Sequence, residues 1–336
     1  MNINQIAKLA GVSKATVSRV LNGKKDVSDK TRNRILDLIS EFDYAPNTTA
    51  RSLSNKSSPY IGVIIPDIQN TFFSEVIRGI NTVLEIENYH TILFDTNENS
   101  ENEHRALRDL YEQILDGLII TPVSEVDEIS SALLTRLEKN GTKIIMIDRD
   151  IKGFKSDRVF IDNFKGAYDA TVALIENNHT KIAAITGPKT SRPGRDRLKG
   201  FLNALSNHGI VIEDKYLING NFKIEGGYQA TKELLVSPDP PTAIFSFNNM
   251  MTLGCMKYFS EQNYTIGKDI ALIGFDDIEF LTWLNIDLSV ISRPTTLMGT
   301  KAANLLIEKI KSTRKSVNQL VLPVELILRG SELKSK

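Results

Sequence analysis

A chain of 336 residues with 41% hydrophobic and 24% charged residues has ordinary globular composition and room for two or three domains, which excludes a disordered or fibrous protein. Its single cysteine, Cys255, excludes an internal disulfide and a cysteine-based zinc cluster, and no apolar run approaches the roughly 20 residues of a membrane-spanning helix. The net charge is zero overall, but residues 1–58 hold ten Lys/Arg against five Asp/Glu and the remainder 31 against 36, a basic head on an acidic body that points to a nucleic-acid-binding segment.

The head reads as three short helices. Residues 4–10 place Ile6, Ala7 and Ala10 at helical spacing, and Gly11 then breaks the helix. Ser13 is placed to cap a second helix running to about Asn22, with Val17, Val20 and Leu21 as its apolar stripe. Asn22-Gly23 stops it, and Ser28 caps a third helix whose Ile35, Leu36, Leu38, Ile39 and Phe42 form a buried face, ended by Tyr44-Ala45-Pro46. Helix, glycine-containing turn, helix is the helix-turn-helix pattern, whose second helix enters a DNA major groove. With the valines inward, Lys14, Ala15, Ser18 and Arg19 face out. Lys14 and Arg19 can donate to guanine, Ala15 offers a methyl contact, and Ser13 and Thr16 suit phosphate oxygens. Periodicity alone equally allows a helical domain with no ligand. Residues 47–58, ending in "SNKSS", have the composition of a polar linker.

From residue 59 strands and helices alternate. Strand candidates are 60–65, 91–94, 117–120, 143–147 and 158–161, then 182–186, 243–247, 270–273 and 289–292, with amphipathic helices between them such as 73–86. Two such series predict two similar α/β lobes with parallel sheets, and ligands bind such sheets at the carboxyl ends of the strands. There stand Asp67 to Phe73, Thr121-Pro122, Asp148-Arg149, "TGPKTSRPGRDRLKGF", Asn248-Asn249 and Gly274-Phe275-Asp276-Asp277. Carboxylates and amides pair with vicinal hydroxyls, and aromatic faces cover the apolar side of a sugar ring. Phe72 and Phe73 are alternatively core residues, Arg197 can pair with Asp276 across the cleft, and Trp283 is either a stacking platform or a surface anchor. Arg149, Arg195 and Arg197 together would supply more positive charge than a neutral sugar requires, which suits a sugar acid or sugar phosphate. The four histidines lack metal-ligand spacing, and no nucleotide, protease or hydrolase motif is present, so no metal, cofactor or catalytic residue is assigned.

The head closely resembles that of the lactose-repressor family of bacterial transcription regulators. The matching elements are Ile6-Ala7, Ala10-Gly11-Val12-Ser13, Thr16 to Asn22, Val27-Ser28, Thr31-Arg32 and Tyr44-x-Pro46-Asn47-x-x-Ala50-Arg51-x-Leu53. "IGVIIPDIQNTFFSEVIRGI", "IIMIDRD", "GPKTSRPGRDRLKGFLNAL", "AIFSFNNMMTLGCM" and "DIALIGFDDIEF" extend the similarity to the effector-binding core, which is like periplasmic sugar-binding proteins.

The resemblance implies a helix-turn-helix domain over 1–46, a hinge helix or linker over 47–58 and a two-lobed core over 59–336. Lobe one spans about 60–160 plus 293–322, and lobe two about 161–289 plus 323–333. It implies operator contacts by Ser13, Lys14, Ala15, Thr16, Ser18, Arg19 and Asn22. In the hinge, Leu53 would be a minor-groove wedge beside Asn47 and Ala50. Effector contacts would come from Phe72, Phe73, Asp148, Arg195, Arg197, Phe222, Asn248 and Asp276. One departure stands out: the family commonly has Asn-Asp where this chain has Asn248-Asn249.

The expected protein is therefore a cytoplasmic, homodimeric repressor of carbohydrate genes. It would bind a pseudo-palindromic operator under the control of a sugar, sugar acid or sugar phosphate. The alternative is a regulator corepressed by a phosphorylated carrier protein. No secretory signal or membrane segment is read from the chain, and no terminal heptad repeat, so a dimer is expected rather than a tetramer.

Overall fold

The computed structural model describes residues 1–21, 23–24, 26–43, 58–113, 115–312 and 316–333. Two compact units result, Met1–Ser58 and Pro59–Lys336.

In the first unit, α1 (Ile3–Ala10) starts at an Asn2/Gln5 capping box and ends at Gly11, whose φ of +64° lies in the left-handed region. Next come α2 (Lys14–Leu21) and α3 (Asp29–Glu41), the latter capped by the Ser28 side chain. Ile6, Ala7, Ala10, Val17, Val20 and Ile35 form the buried core. The expected apolar face of α3 is narrower than read: Ile35 is buried, Leu38 and Ile39 pack at its edge, and Leu36 and Phe42 are exposed. Leu36 lies about 100° round the helix from Ile35, outside the stripe that a three-helix unit can cover.

The second unit holds two sheets. The first carries β1 (Tyr60–Ile65), β2 (His90–Asp95), β3 (Gly117–Ile120), β4 (Lys143–Ile147) and β5 (Asp157–Ile161). The second carries β6 (Ile182–Thr186), β7 (Leu217–Asn219), β8 (Ala243–Ser246), β9 (Ala271–Phe275) and β10 (Ser289–Ser292). The chain then returns to add β11 (Gln319–Leu322) to the first sheet and β12 (Glu325–Ile327) to the second. The strand orders are β11-β5-β4-β3-β1-β2 and β12-β10-β9-β8-β6-β7. Every described pairing is parallel except that of β10 with β12. The sequence pattern missed β7, β11 and β12, which are three- and four-residue edge strands with half-exposed faces. The expected end of lobe two at about 289 also falls short, since β10 runs to Ser292 within the second sheet.

Helices cover the sheets: α4 (Thr71–Ile86), α5 (Ser100–Glu112), α6 (Glu128–Lys139), α7 (Asn163–Glu176), α8 (Arg192–Asn207), α9 (Ile224–Val236), α10 (Asn249–Gln262), α11 (Glu279–Trp283) and α12 (Thr295–Lys311). The returning α12 packs on α4 of the first lobe, and the approach is close enough to require glycine. A Cβ at Gly79 would lie 2.1 Å from the Thr296 carbonyl oxygen, and one at Gly299 2.0 Å from that of Val76. Three crossovers, after β5, β10 and β11, join the lobes and leave the carboxyl ends of both sheets facing one cleft.

Candidate functional site: an exposed helix face and a charge-filled cleft

On the head, Ser13 accepts the Thr16 backbone N–H at 3.1 Å, and the two hydroxyls lie 2.9 Å apart, so both are committed to capping α2. Such a cap is worth about 1 kcal/mol. Val17 and Val20 point into the core. Lys14, Ala15 and Arg19 are exposed, and Thr16 and Ser18 are half-buried. Arg19 lies 3.5 Å from Asp26, both more than half exposed. Asn22, Asn47, Ala50 and Leu53 lie outside the described residues.

In the core, Asp148 follows β4 and Asp276 follows β9, in matching positions. Each has φ in the left-handed region, +63° and +77°, and each donates its backbone N–H to the adjoining strand, to Val159 and Ile291. Non-glycine residues held at positive φ are strained and gather at functional sites. Phe222 shares the feature at +60°. Its ring lies where a Cβ at Gly187 would stand, 2.0 Å from Cζ, so the glycine makes room for it.

The structure brings Phe72, Phe73, Asp148, Arg197, Phe222 and Asn248 around one cleft, with Asp276 bonded to its wall. Phe72 and Phe73 meet edge to face at 4.7 Å. Arg197 lies fully buried with its guanidinium 3.5 Å from the Phe275 ring centroid. It donates to Asn163 at 2.7 Å and to the Phe247 carbonyl, while its Nη2 has no hydrogen-bond partner among the described residues. Burial and the neighbouring Arg293 push Arg197 down to about 9, which leaves it a cation at neutral pH. Asn248 serves positioning: its oxygen caps α10 at Met251 and its amide holds the Phe222 carbonyl at 3.1 Å. The neighbouring Asn249 donates to Asn70 at 2.9 Å and Thr71 at 3.1 Å, linking the second lobe to the first.

Arg195 does not join them. It pairs with Glu125 on the first lobe and is partly exposed. Two residues along a helix is about 200° of rotation, so with Arg197 facing the cleft Arg195 faces away. Nor does Arg197 pair directly with Asp276. That place belongs to Arg293, which the sequence reading missed. Its Nη1 donates to Asp148 at 2.7 Å, its Nη2 to Asp276 at 2.8 Å, and its guanidinium lies 3.3 Å from the Phe72 ring centroid. Arg293 immediately follows β10, so the rule that singled out Asp148 and Asp276 would have found it. Glu98 was also missed: it forks Arg149 at 2.7 and 2.6 Å. Burial works against the Arg149 cation, yet the Glu98 carboxylate holds it above the usual arginine value. Trp283 is largely exposed; it does not reach the charged cleft but lines, with Phe72, Asn249, Asp276 and Arg293, an adjoining pocket of about 450 Å³.

Three guanidinium groups, Arg149, Arg197 and Arg293, thus meet three carboxylates, Glu98, Asp148 and Asp276. The space left among them is about 20 Å³, room for about one water. On the rim, Glu125 accepts from Arg195 and donates its N–H to Thr190 at 2.8 Å.

Residues 2–47 match the model for bacterial regulatory proteins of the lacI family, and residues 58–329 match that for periplasmic binding proteins and the sugar binding domain of the LacI family. The chain belongs to the LacI family. It is 33% identical to the ribose operon repressor of Escherichia coli K12, over 98% of this chain and 99% of that one. It is 31% identical to the transcriptional repressor PurR of Photobacterium profundum, over 98% of each. The structure of the lac repressor dimer bound to operator and an anti-inducer superposes with a TM-score of 0.84 at 26% identity, covering 99% of both chains. This LacI-family chain is therefore a DNA-binding transcriptional repressor with an effector-binding core, not an enzyme. Among its described residues no helix is long and apolar enough to cross a membrane, and no group of His, Cys, Asp or Glu is placed to hold a metal ion.

Proposed function

We propose that this LacI-family repressor acts in the cytoplasm as a homodimer on a pseudo-palindromic operator, and that its effector is a small neutral polyol, a sugar without acid or phosphate groups. The observation that carries the effector class is the charge balance of the cleft. With Arg195 outside and Arg149 matched by Glu98, the excess of arginine that favoured an acidic sugar is absent. A net anion added to a balanced buried set is uncompensated, and that is costly in a low-dielectric site. A neutral polyol instead offers O–H donors to Asp148 and Asp276 and acceptor oxygens to the free Nη2 of Arg197.

On the head, Lys14, Ala15 and Arg19 would read base edges, with Ser18 and Asn22 beside them and Ser13 and Thr16 setting the helix start near the phosphates. Residues 47–58, with Asn47, Ala50 and Leu53, would form the hinge. The 20 Å³ space among the charges cannot hold a sugar, so an effector that touches both Asp148 and Arg197 requires the lobes to separate. A ligand that prefers one lobe spacing shifts the pairing of two heads and so their operator affinity.

The test is a thermal-shift screen of the whole chain against neutral pentoses and hexoses, sugar acids and sugar phosphates. Each hit is then measured for its effect on anisotropy of an operator duplex selected from a random pool. A neutral sugar that both stabilises the protein and changes operator affinity is expected. Stabilisation by acids or phosphates alone would overturn the charge argument.

A further inference from the structure

Arg293 has the burial, the partners and the aromatic contact that a bound ligand would have. It comes from the crossover after β10, so it belongs to neither facing surface, yet it touches both. Asp148 stands on the first lobe and Asp276 on the second, and one guanidinium spans them. Its Nε also lies against the other Asp276 oxygen as an ion-pair contact without a hydrogen bond. Its flat face covers Phe72, and its side chain is 4% exposed. A sugar ring bound by these residues would use the same carboxylate edges and the same aromatic face.

We propose that Arg293 is a built-in competitor of the effector, occupying its site in the ligand-free chain and tying the two lobes together. The inference rests on the reading of the cleft as the effector site. An effector enters by exchanging its O–H donors for the guanidinium N–H donors on Asp148 and Asp276. Arg293 thereby sets specificity: a ligand succeeds only if it brings donors to both carboxylates at once, since a ligand satisfying one leaves the other buried without a hydrogen-bond donor. The resting chain is closed without ligand, and the force that closes it is internal.

The test uses the full-length chain without sugar. Arg293→Ala should lower the melting temperature, and millimolar guanidinium or methylguanidinium should restore it saturably by filling the vacated place. The restoration should vanish when Asp276→Asn or Asp148→Asn is added, and wild-type protein should show none. Equal effects of guanidinium on wild type and variant would overturn the proposal. Arg293→Lys serves as an independent check. An ammonium lacks the breadth of a guanidinium whose Nη1 and Nη2 reach Asp148 and Asp276 separately, so small-angle scattering should show a larger radius of gyration than wild type, and an unchanged radius would overturn the tie. Neither measurement involves an effector. Guanidinium restoration in a protein that no sugar stabilises would uphold Arg293 and sink the effector reading; sugar binding without restoration would do the reverse.

Discussion

On α2, Lys14 stands in solvent and Arg19 has one exposed partner 3.5 Å away. In the cleft, Arg149, Arg197 and Arg293 are all buried, and two of them hold carboxylates at 2.6–2.8 Å. The same side-chain chemistry serves two purposes. Exposed cations cost little to keep and wait for phosphates and base edges, whereas buried ones must be matched within the protein. The difference teaches that function on the head can be changed without touching stability, while in the cleft the two are coupled.

The largest effect should come from breaking a buried pair. Asp276→Ala leaves the Arg293 guanidinium with Asp148 alone, and removal of one partner of such a pair costs about 3–5 kcal/mol. Urea unfolding should show it. A loss as small as that of a surface substitution would mean the cleft charges are not coupled to folding. Arg197→Ala should come next. It removes a guanidinium edge that is without a hydrogen-bond partner among the described residues, and a hydrogen bond to a charged group is worth about 1.5–3 kcal/mol. Calorimetry should show effector affinity falling by that amount while operator affinity without effector stays the same.

Head substitutions should move only DNA binding. Lys14→Ala and Arg19→Ala should each weaken specific operator binding by about 1–3 kcal/mol and leave thermal stability within about 0.5 kcal/mol. If neither changes sequence preference in competition with scrambled DNA, another face of α2 reads the operator.

This contrast also decided what could be read from sequence. The head was legible because periodicity alone separates Val17 and Val20 from Lys14 and Arg19, and its core closes within three consecutive short helices. The two sheets and their carboxyl-end residues were legible from the alternation of strands and helices, which placed Asp148, Arg197 and Asp276; Phe222 follows the missed strand β7 and came from the family resemblance alone. The pairings were not. Arg149 meets Glu98 across 51 residues and Arg293 meets Asp148 across 145, distances closed only by strand order and by the return of the chain to the first lobe. Without those partners, the arginines looked like surplus charge. Arg195 misled for a different reason: it belongs to the right helix but the wrong side of it.

The smallest expected effect gives the sharpest form of the contrast. Asp26 is the exposed partner of Arg19, with the two side chains 58% and 57% accessible. A pair of that kind contributes about 0–1 kcal/mol, much of it lost to side-chain entropy and screening. Asp26→Asn should therefore leave the melting temperature of the head almost unchanged. It should still strengthen operator binding slightly, because it releases Arg19 and removes a negative charge near the proposed DNA-facing surface. That gain should shrink as salt rises, since it comes through exposed charges and counterion release. The corresponding neutralisation in the cleft, Asp276→Asn, has no solvent to take up the freed guanidinium, so its destabilisation should persist at high salt. If the two variants respond alike to salt, burial is not what separates the two sites.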